Sequence, residues 1–350
     1  MPGKLFIHAT NVHQGGGRFL LDALLGALHG KSGLVLSLDE RMPLPQGMPD
    51  NLEIKRVRPS VLSRLGAEMW LARNVTARDF VLCFGNLPPL FKLRGHTTVF
   101  VQNRYLIDDV KLSEFPFAGR LRIIIERLWL STRMSNADEF IVQTETMKKV
   151  LTSKTQGRMP VRALPFLAAP AGHVRRAPQS EKGEAGSYDF LYVASGDPHK
   201  NHRRLLEAWC LLAEEGLFPS LCVTLDEVQF AGLCAEIYAM RQRHGLKVTN
   251  VGVLSHPDVL AMYTKTDAAI YPSTFESLGL PLIEARQSGL PVLASELDYV
   301  RDVLDPEQTF DPSSSLSIAR AVKRFIGKEE PSLPLLDATQ FMAAVFGKAE

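Results

Sequence analysis

Residues 267–291 read DAAIYPSTFESLGLPLIEARQSGLP. Ala268 to Tyr271 is a short apolar run of the kind that forms a buried parallel strand. Pro272 and Ser273 end it, and a polar loop runs on to Gly279. Pro281 suits the first turn of a helix, where its missing N–H costs nothing. The pattern therefore predicts a helix from about Leu280 through Leu282, Ile283, Glu284 and Ala285, stopping at Ser288-Gly289. Pro291-Val292-Leu293-Ala294 opens the next strand. Strand, loop, helix and strand in this order is the repeating unit of a parallel α/β sheet.

The amides of Ser277, Leu278, Gly279 and Leu280 would stand at the positive end of that helix, a natural seat for phosphate. Glu276 comes just before them and Glu284 about one turn inside. A carboxylate there would repel a bare phosphate, so the pair suits a ligand joining phosphate to hydroxyl-rich parts. Two acids at this spacing also occur by chance on capped surface helices. The proline, the glycines and the flanking strands make the frame informative.

That frame, P-S-x-x-E-x-x-G-x-P-x-x-E-A-x-x-x-G-x-P-V from Pro272 to Val292, resembles the signature of the retaining, GT-B-fold glycosyltransferases of family 4. The resemblance implies an α/β protein of two doubly wound, Rossmann-like domains facing across a cleft. It implies a nucleotide-sugar donor, with Glu276 near the donor sugar, Glu284 on the ribose and Ser277 to Leu280 at the diphosphate. It is carried by Tyr188 to Ile326 and is much weaker before that.

Working outward, Asp189 to Ala194 reads as a strand and Arg203 to Glu215 as a helix. Between them lies SGDPHKNH, residues 195–202. Lys200 at this turn can meet a diphosphate as a point charge, although a lone helix-start lysine is more often simply solvated. Its place matches the diphosphate lysine of the resembled family. That family often shows Gly-Arg early in the loop, where Ala194-Ser195 stand here. Ser195 is then a donor-side candidate, and Arg203, Arg204 or the amino-terminal domain would complete the clamp. His199 and His202 have no acid or cysteine cluster beside them and do not read as metal ligands.

The amino-terminal half alternates strands, at Lys4–His8, Gly33–Leu38, Leu52–Val57, Phe80–Phe84, Thr97–Val101 and Glu139–Val142, with helices between several of them. Gly15, Gly16 and Gly17 between the first strand and the helix Arg18–Leu28 allow close backbone approach. The resemblance places them at the donor diphosphate or the acceptor. They fail the dinucleotide pattern G-x-G-x-x-G, because Leu20 holds the third position. The family commonly has a histidine after the strand placed like Thr97–Val101, where Gln102 and Asn103 stand. Asn103 and Arg104 are the acceptor-side candidates. Turn chemistry is the plain reading of this segment, and helix capping that of Thr144 and Ser255. The resulting division is an acceptor-side domain over 1–165, a linker over 166–187, a nucleotide-sugar domain over 188–335 and a terminal helix over 336–350 crossing back.

On a helix from about Ala118 to Met134, Leu121, Ile124, Ile125 and Leu128 form an i, i+3, i+4, i+7 stripe, with Arg120, Arg122, Arg127 and Arg133 elsewhere on the cylinder. Core packing beneath a solvated basic face is the ordinary explanation. A rest on anionic lipid is the alternative, which Trp129 favours.

At 350 residues two domains are expected. A net charge of +2 disfavours a nucleic-acid partner, which calls for a concentrated basic face. The four cysteines form no C-x-x-C pair and read as buried thiols in a reducing compartment. No apolar run is long enough to span a bilayer or to serve as a signal peptide, so a cytoplasmic protein is expected, peripheral to the inner face of the cell membrane. The absence of any Asp-x-Asp suggests no essential metal, and no cofactor is expected.

The reading is therefore a transferase with Glu276 and Lys200 as catalytic groups, acting between a nucleotide-sugar and a glycan or polyprenyl-linked acceptor, in bacterial surface glycan assembly. No protein nucleophile is evident, which fits the front-face attack proposed for the family. The rivals are a nucleotide-sugar epimerase on the same fold and a non-catalytic nucleotide-binding scaffold.

Overall fold

The computed structural model describes residues 3–28, 32–44, 52–110, 112, 115–165 and 187–328. Residues 166–186 of the expected linker and the expected helix over 336–350 lie outside the described residues.

The first sheet is built from β1 (Leu5–Ala9), α1 (Gly15–Ala27), β2 (Leu34–Asp39), β3 (Glu53–Val57), α2 (Val61–Asn74), β4 (Phe80–Cys83), β5 (His96–Val101), α3 (Phe117–Arg133), β6 (Glu139–Val142), α4 (Glu145–Lys154) and β7 (Val161–Ala163). Its strands are all parallel, in the order β3-β2-β1-β4-β5-β6-β7. Both faces are covered, as buried parallel strands require. Leu20, Leu21 and Leu25 of α1 close one side. Leu71 of α2, Ile123 and Leu130 of α3 and Met147 and Leu151 of α4 close the other.

The second sheet follows the same logic with β8 (Tyr188–Tyr192), α5 (His202–Glu214), β9 (Leu221–Val223), α6 (Ala231–His244), β10 (Val248–Asn250), α7 (His256–Thr264), β11 (Thr266–Tyr271), α8 (Leu280–Gln287), β12 (Val292–Ser295), α9 (Asp298–Arg301), β13 (Gln308–Phe310) and α10 (Ser315–Phe325). Its order is β10-β9-β8-β11-β12-β13, again parallel. Trp209, Tyr192 and Tyr299 are its largest buried side chains. Two doubly wound α/β units are what the family resemblance implied, and the strand–helix alternation pointed to their parallel sheets.

Each sheet reverses its strand order once, between β1 and β4 and between β8 and β11. In open parallel sheets the crevice at such a reversal, beyond the carboxyl ends of the strands, is where ligands bind. The loop after β8 carries Lys200 and the loop after β11 carries Glu276. Those two strands are neighbours, with Phe190 opposite Ala268 and Leu191 opposite Ala269. Topology thus sets side by side two loops that are 76 residues apart in the chain.

Three features differ from the sequence reading. Gly15, Gly16 and Gly17 form the first turn of α1 instead of a loop before it. The strands β7 and β13, three residues each, are too short to show a period. The third concerns α3: its apolar stripe does not pack on the sheet. Leu121, Ile124, Ile125 and Leu128 are 48% to 63% exposed, and Ile123 and Leu130 on the opposite side are buried instead. Arg127 folds back to the carbonyls of Tyr105 and Asp108, at 2.8 and 2.7 Å. Trp129 donates its indole N–H to the Pro88 carbonyl. Periodicity located the apolar face of this helix, but not the direction it looks.

Candidate active site

A cleft of about 990 Å³ lies between the domains. Its floor in the second domain is the run from Tyr271 to Pro281, which leaves the carboxyl end of β11 and enters α8. Gly279 makes the turn possible. Its φ of 74° is a left-handed conformation, and a Cβ there would stand 3.0 Å from the Leu282 side chain. No acceptor is found among the described residues for the backbone N–H groups of Ser277, Leu278, Gly279 and Leu280. They lie at the amino terminus of α8, where the helix dipole is positive.

Lys200 and Glu276 meet beside this turn, Nζ to Oε1 at 2.5 Å, with side chains only 15% and 12% exposed. The Tyr271 hydroxyl also donates to Glu276 Oε1, at 3.1 Å. Burial, and then the Glu276 charge, hold the Tyr271 phenol well above its usual pKa, so it stays a donor.

The loop bearing Lys200 is tied down on three sides. Tyr192 donates to the Lys200 carbonyl at 2.6 Å and shares a hydrogen bond with Ser273. Asn201, at φ 62°, donates from Nδ2 to the carbonyls of Pro272 and Pro312. Thr274 N–H donates to the His199 carbonyl. His202 is packed against the Tyr192 ring with both ring nitrogens buried and unpartnered. Burial first, then the charges of Lys200 and His199, lower its pKa to about 3, so the ring is neutral.

Glu284 faces the same cleft from inside α8, 3.2 Å from His256 Nε2 and 14% exposed. Burial raises its pKa above the ordinary carboxylate range, against the pull of His256. Phe19 of the first domain packs against His256 with the rings tilted, centroids 4.6 Å apart.

The first domain supplies the roof. Gly15, Gly16 and Gly17 line the cleft, and a Cβ on Gly16 would come within 3.2 Å of Leu280. Asn103 lines it too, but its side chain caps the following turn by accepting from Tyr105 N–H. Ser195 lines the cleft with its hydroxyl bonded to Asp197. Thr144 and Ser255 cap α4 and α7.

Arg104 is not part of the cleft wall. It is 9% exposed, its guanidinium bonds to Asp298 at 2.9 and 3.1 Å and to Asp108 at 2.9 Å, and it lies over the Phe275 ring. Its own N–H donates to Ser277 Oγ. Arg104 therefore clasps the two domains together. Arg203 and Arg204 pair with Glu236 and Glu207 and stand away from the cleft. The arginine that reaches the cleft, among the described residues, is Arg122 of α3.

Sequence reasoning missed His13, Tyr271 and His256. His13 lines the cleft with Nδ1 3.9 Å from Asp39. Burial, then the neighbouring Arg41, lower its pKa, while Asp39 opposes them. Its place two residues before the glycines was the available signal. Tyr271 was hidden inside an apolar run, and His256 inside a capping sequence. No group of three or more His, Cys, Asp or Glu side chains placed to hold a metal occurs among the described residues.

Two parallel α/β sheets meeting at a cleft that joins their reversal points define the GT-B class of glycosyltransferase fold. More particularly, residues 175–335 match the family model described as glycosyl transferases group 1. The chain is 28% identical over 144 residues to the serotype-specific mannosyltransferase WbdA of Escherichia coli, covering 40% of this chain and 18% of that protein. It is 26% identical over 144 residues to the O-antigen chain mannosyltransferase RfbU of Salmonella typhimurium, covering 41% and 39%. The chain thus spans well under half the length of these relatives. Among solved structures, the lipopolysaccharide outer core galactosyltransferase WaaB superposes with TM-score 0.61 at 16% identity over 99% of both chains. HepE of Anabaena, in complex with UDP and glucose, does so with TM-score 0.65 at 14% identity over 93% and 90%.

Proposed function

We propose that this protein is a retaining glycosyltransferase of family 4, moving a sugar from a nucleotide-diphosphate donor to a glycan or lipid-linked glycan. The observation that carries the reading is the 2.5 Å pairing of Lys200 with Glu276, set against unpaired amides at the start of α8. Such a site can neutralise a diphosphate and offer a carboxylate to sugar hydroxyls in one place. Glu284, a turn further in and lining the same cleft, would accept from the ribose hydroxyls.

In the proposed step the bond from the anomeric carbon to the diphosphate oxygen breaks. The acceptor oxygen forms its bond on the same face of the sugar, and its proton passes to the departing diphosphate. Lys200 and the α8 amides stabilise the charge that grows on the leaving group, a contribution of about 3–4 kcal/mol per donor in comparable sites. The relatives named as O-antigen chain mannosyltransferases support an acceptor in bacterial surface polysaccharide, and they make GDP-mannose the first donor to try. UDP-sugars follow, from the UDP-bound neighbour. With no Asp-x-Asp motif in the chain, the reaction is proposed to need no divalent metal, so chelation should leave its rate unchanged.

Thermal-shift screening against GDP-, UDP- and ADP-sugars tests the donor site, followed by transfer assays on any donor that binds. Stabilisation by one donor, abolished in Glu284→Ala, is the expected result. If no nucleotide-sugar stabilises the protein, or if Glu276→Ala transfers as the parent does, the reading fails.

A further inference from the structure

We propose that the outward faces of α2 and α3 form a docking surface for an anionic lipid bilayer. Along α3, Phe117 is 80% exposed, and Leu121, Ile124, Ile125 and Leu128 follow on the same face. Large apolar side chains exposed as a contiguous row mark an interaction surface, which scattered ones do not. By the 3.6-residue period, Arg120 flanks this row on one side, and Arg122 and Arg133 on the other, while Arg127 is turned back onto backbone carbonyls. The one acid of the helix, Glu126, is paired with Arg122 at 2.8 Å. An apolar strip bordered on both sides by arginine is the pattern of a helix lying in the plane of a membrane interface, its strip in the acyl boundary and its cations among phosphates.

The strip does not stand alone. On α2, Val61 and Leu62 are 83% and 81% exposed, and Leu65 and Met69 follow them. Leu71 of α2 packs in the same core as Ile123 and Leu130 of α3, which places both helices on one side of the sheet. Arg73 adds positive charge there, and Glu68, the acid of α2, is buried against His8. A second copy of the chain fits this face poorly, because two-fold pairing would set arginine flank against arginine flank. No helix among the described residues is long and apolar enough to cross a membrane.

Arg122 belongs to this helix and also lines the cleft, so the acceptor side of the cleft opens beside the bilayer. An acceptor carried on a membrane lipid follows, a consequence that rests on the glycosyl-transfer reading. The docking itself does not.

Co-sedimentation of the full chain with vesicles of phosphatidylglycerol and phosphatidylethanolamine, and with vesicles of phosphatidylcholine alone, tests the surface. Binding to the anionic vesicles only, weakening as salt is raised, is expected. Ile125→Ser with Leu128→Ser should lower that binding about tenfold or more, with an unchanged melting temperature, because both side chains are already exposed. Arg133→Glu should lower it independently. The proposal is overturned if the parent fails to pellet with anionic vesicles, pellets equally with neutral ones, or is indifferent to all three changes. It is equally overturned if those changes instead abolish a dimer of the parent. Nucleotide-sugar thermal shifts on the same preparations separate the two readings: vesicle binding without any donor shift would sink the transferase and leave the docking surface standing.

Discussion

Lys200 and Glu276 are opposite charges taken most of the way out of water, and each depends on the other. Removing one partner of such a pair leaves an uncompensated buried charge, at a cost of about 3 kcal/mol. Glu276→Ala should therefore lower unfolding free energy measured in urea, and Lys200→Met with Glu276→Leu should recover most of the loss. Turnover separates the roles: Lys200→Ala and Glu276→Gln are each expected to lower kcat about 100-fold or more, as removal of a charge-stabilising donor does elsewhere. His202 gives a pH test. Its folded pKa of about 3 lies below the ordinary 6.5, so the unfolded chain binds the extra proton between those values and stability falls as pH drops through that window. Between pH 7 and pH 5 the loss should be about 2 kcal/mol, and His202→Leu should lack that component when the two are compared by urea unfolding. The two glutamates were legible in the sequence because proline and glycine fix the frame around them. Lys200 was legible too, but its pairing with Glu276 was not, since only the adjacency of β8 and β11 brings the two together.

At the scale of elements, the loop between β8 and α5 is held in place by a residue in an uncommon conformation. Asn201 combines a left-handed backbone with two side-chain hydrogen bonds to carbonyls. Asn201→Gly keeps the backbone and loses the bonds, whereas Asn201→Ala loses both. The alanine variant should be less stable than the glycine variant by about 1 kcal/mol, read from urea midpoints. Helix α3 shows where pattern reading stops. An i, i+3, i+4, i+7 stripe states that one face is apolar, and most such faces pack inward. Here Ile123 and Leu130 are buried, Arg127 and Trp129 bond to backbone carbonyls, and the richer apolar face is turned outward. Nothing local to the helix encodes that choice.

For the molecule as a whole, the contacts that span the cleft set its width. Arg104 grips Asp298, Asp108 and the Phe275 ring, and gives its N–H to Ser277. Thr146 N–H donates to Asp302, and the Tyr105 ring packs tilted against Phe275 and edge-on against His199. These contacts are few, as in interdomain surfaces that move relative to one another. Arg104→Ala should increase the radius of gyration seen by X-ray scattering and raise the donor Kd about tenfold, since the guanidinium bridge to Asp298 and its contact with the Phe275 ring would be lost. Unchanged scattering and unchanged donor affinity would remove Arg104 from this role. The two-domain architecture was readable from the alternation of strands and helices. This clasp was not, because Arg104 and Asp298 are 194 positions apart and neither belongs to a motif.

The short contact between the ammonium of Lys200 and the carboxylate of Glu276 makes the site choosy about valence. A ligand with one negative charge offers the lysine no more than its neighbour already does, and would have to share the space with that carboxylate. A pyrophosphoryl group brings at least two charges and the reach to touch helix amides as well, so it can draw the lysine away. Under the glycosyl-transfer reading, the carboxylate released by that trade would turn to the sugar.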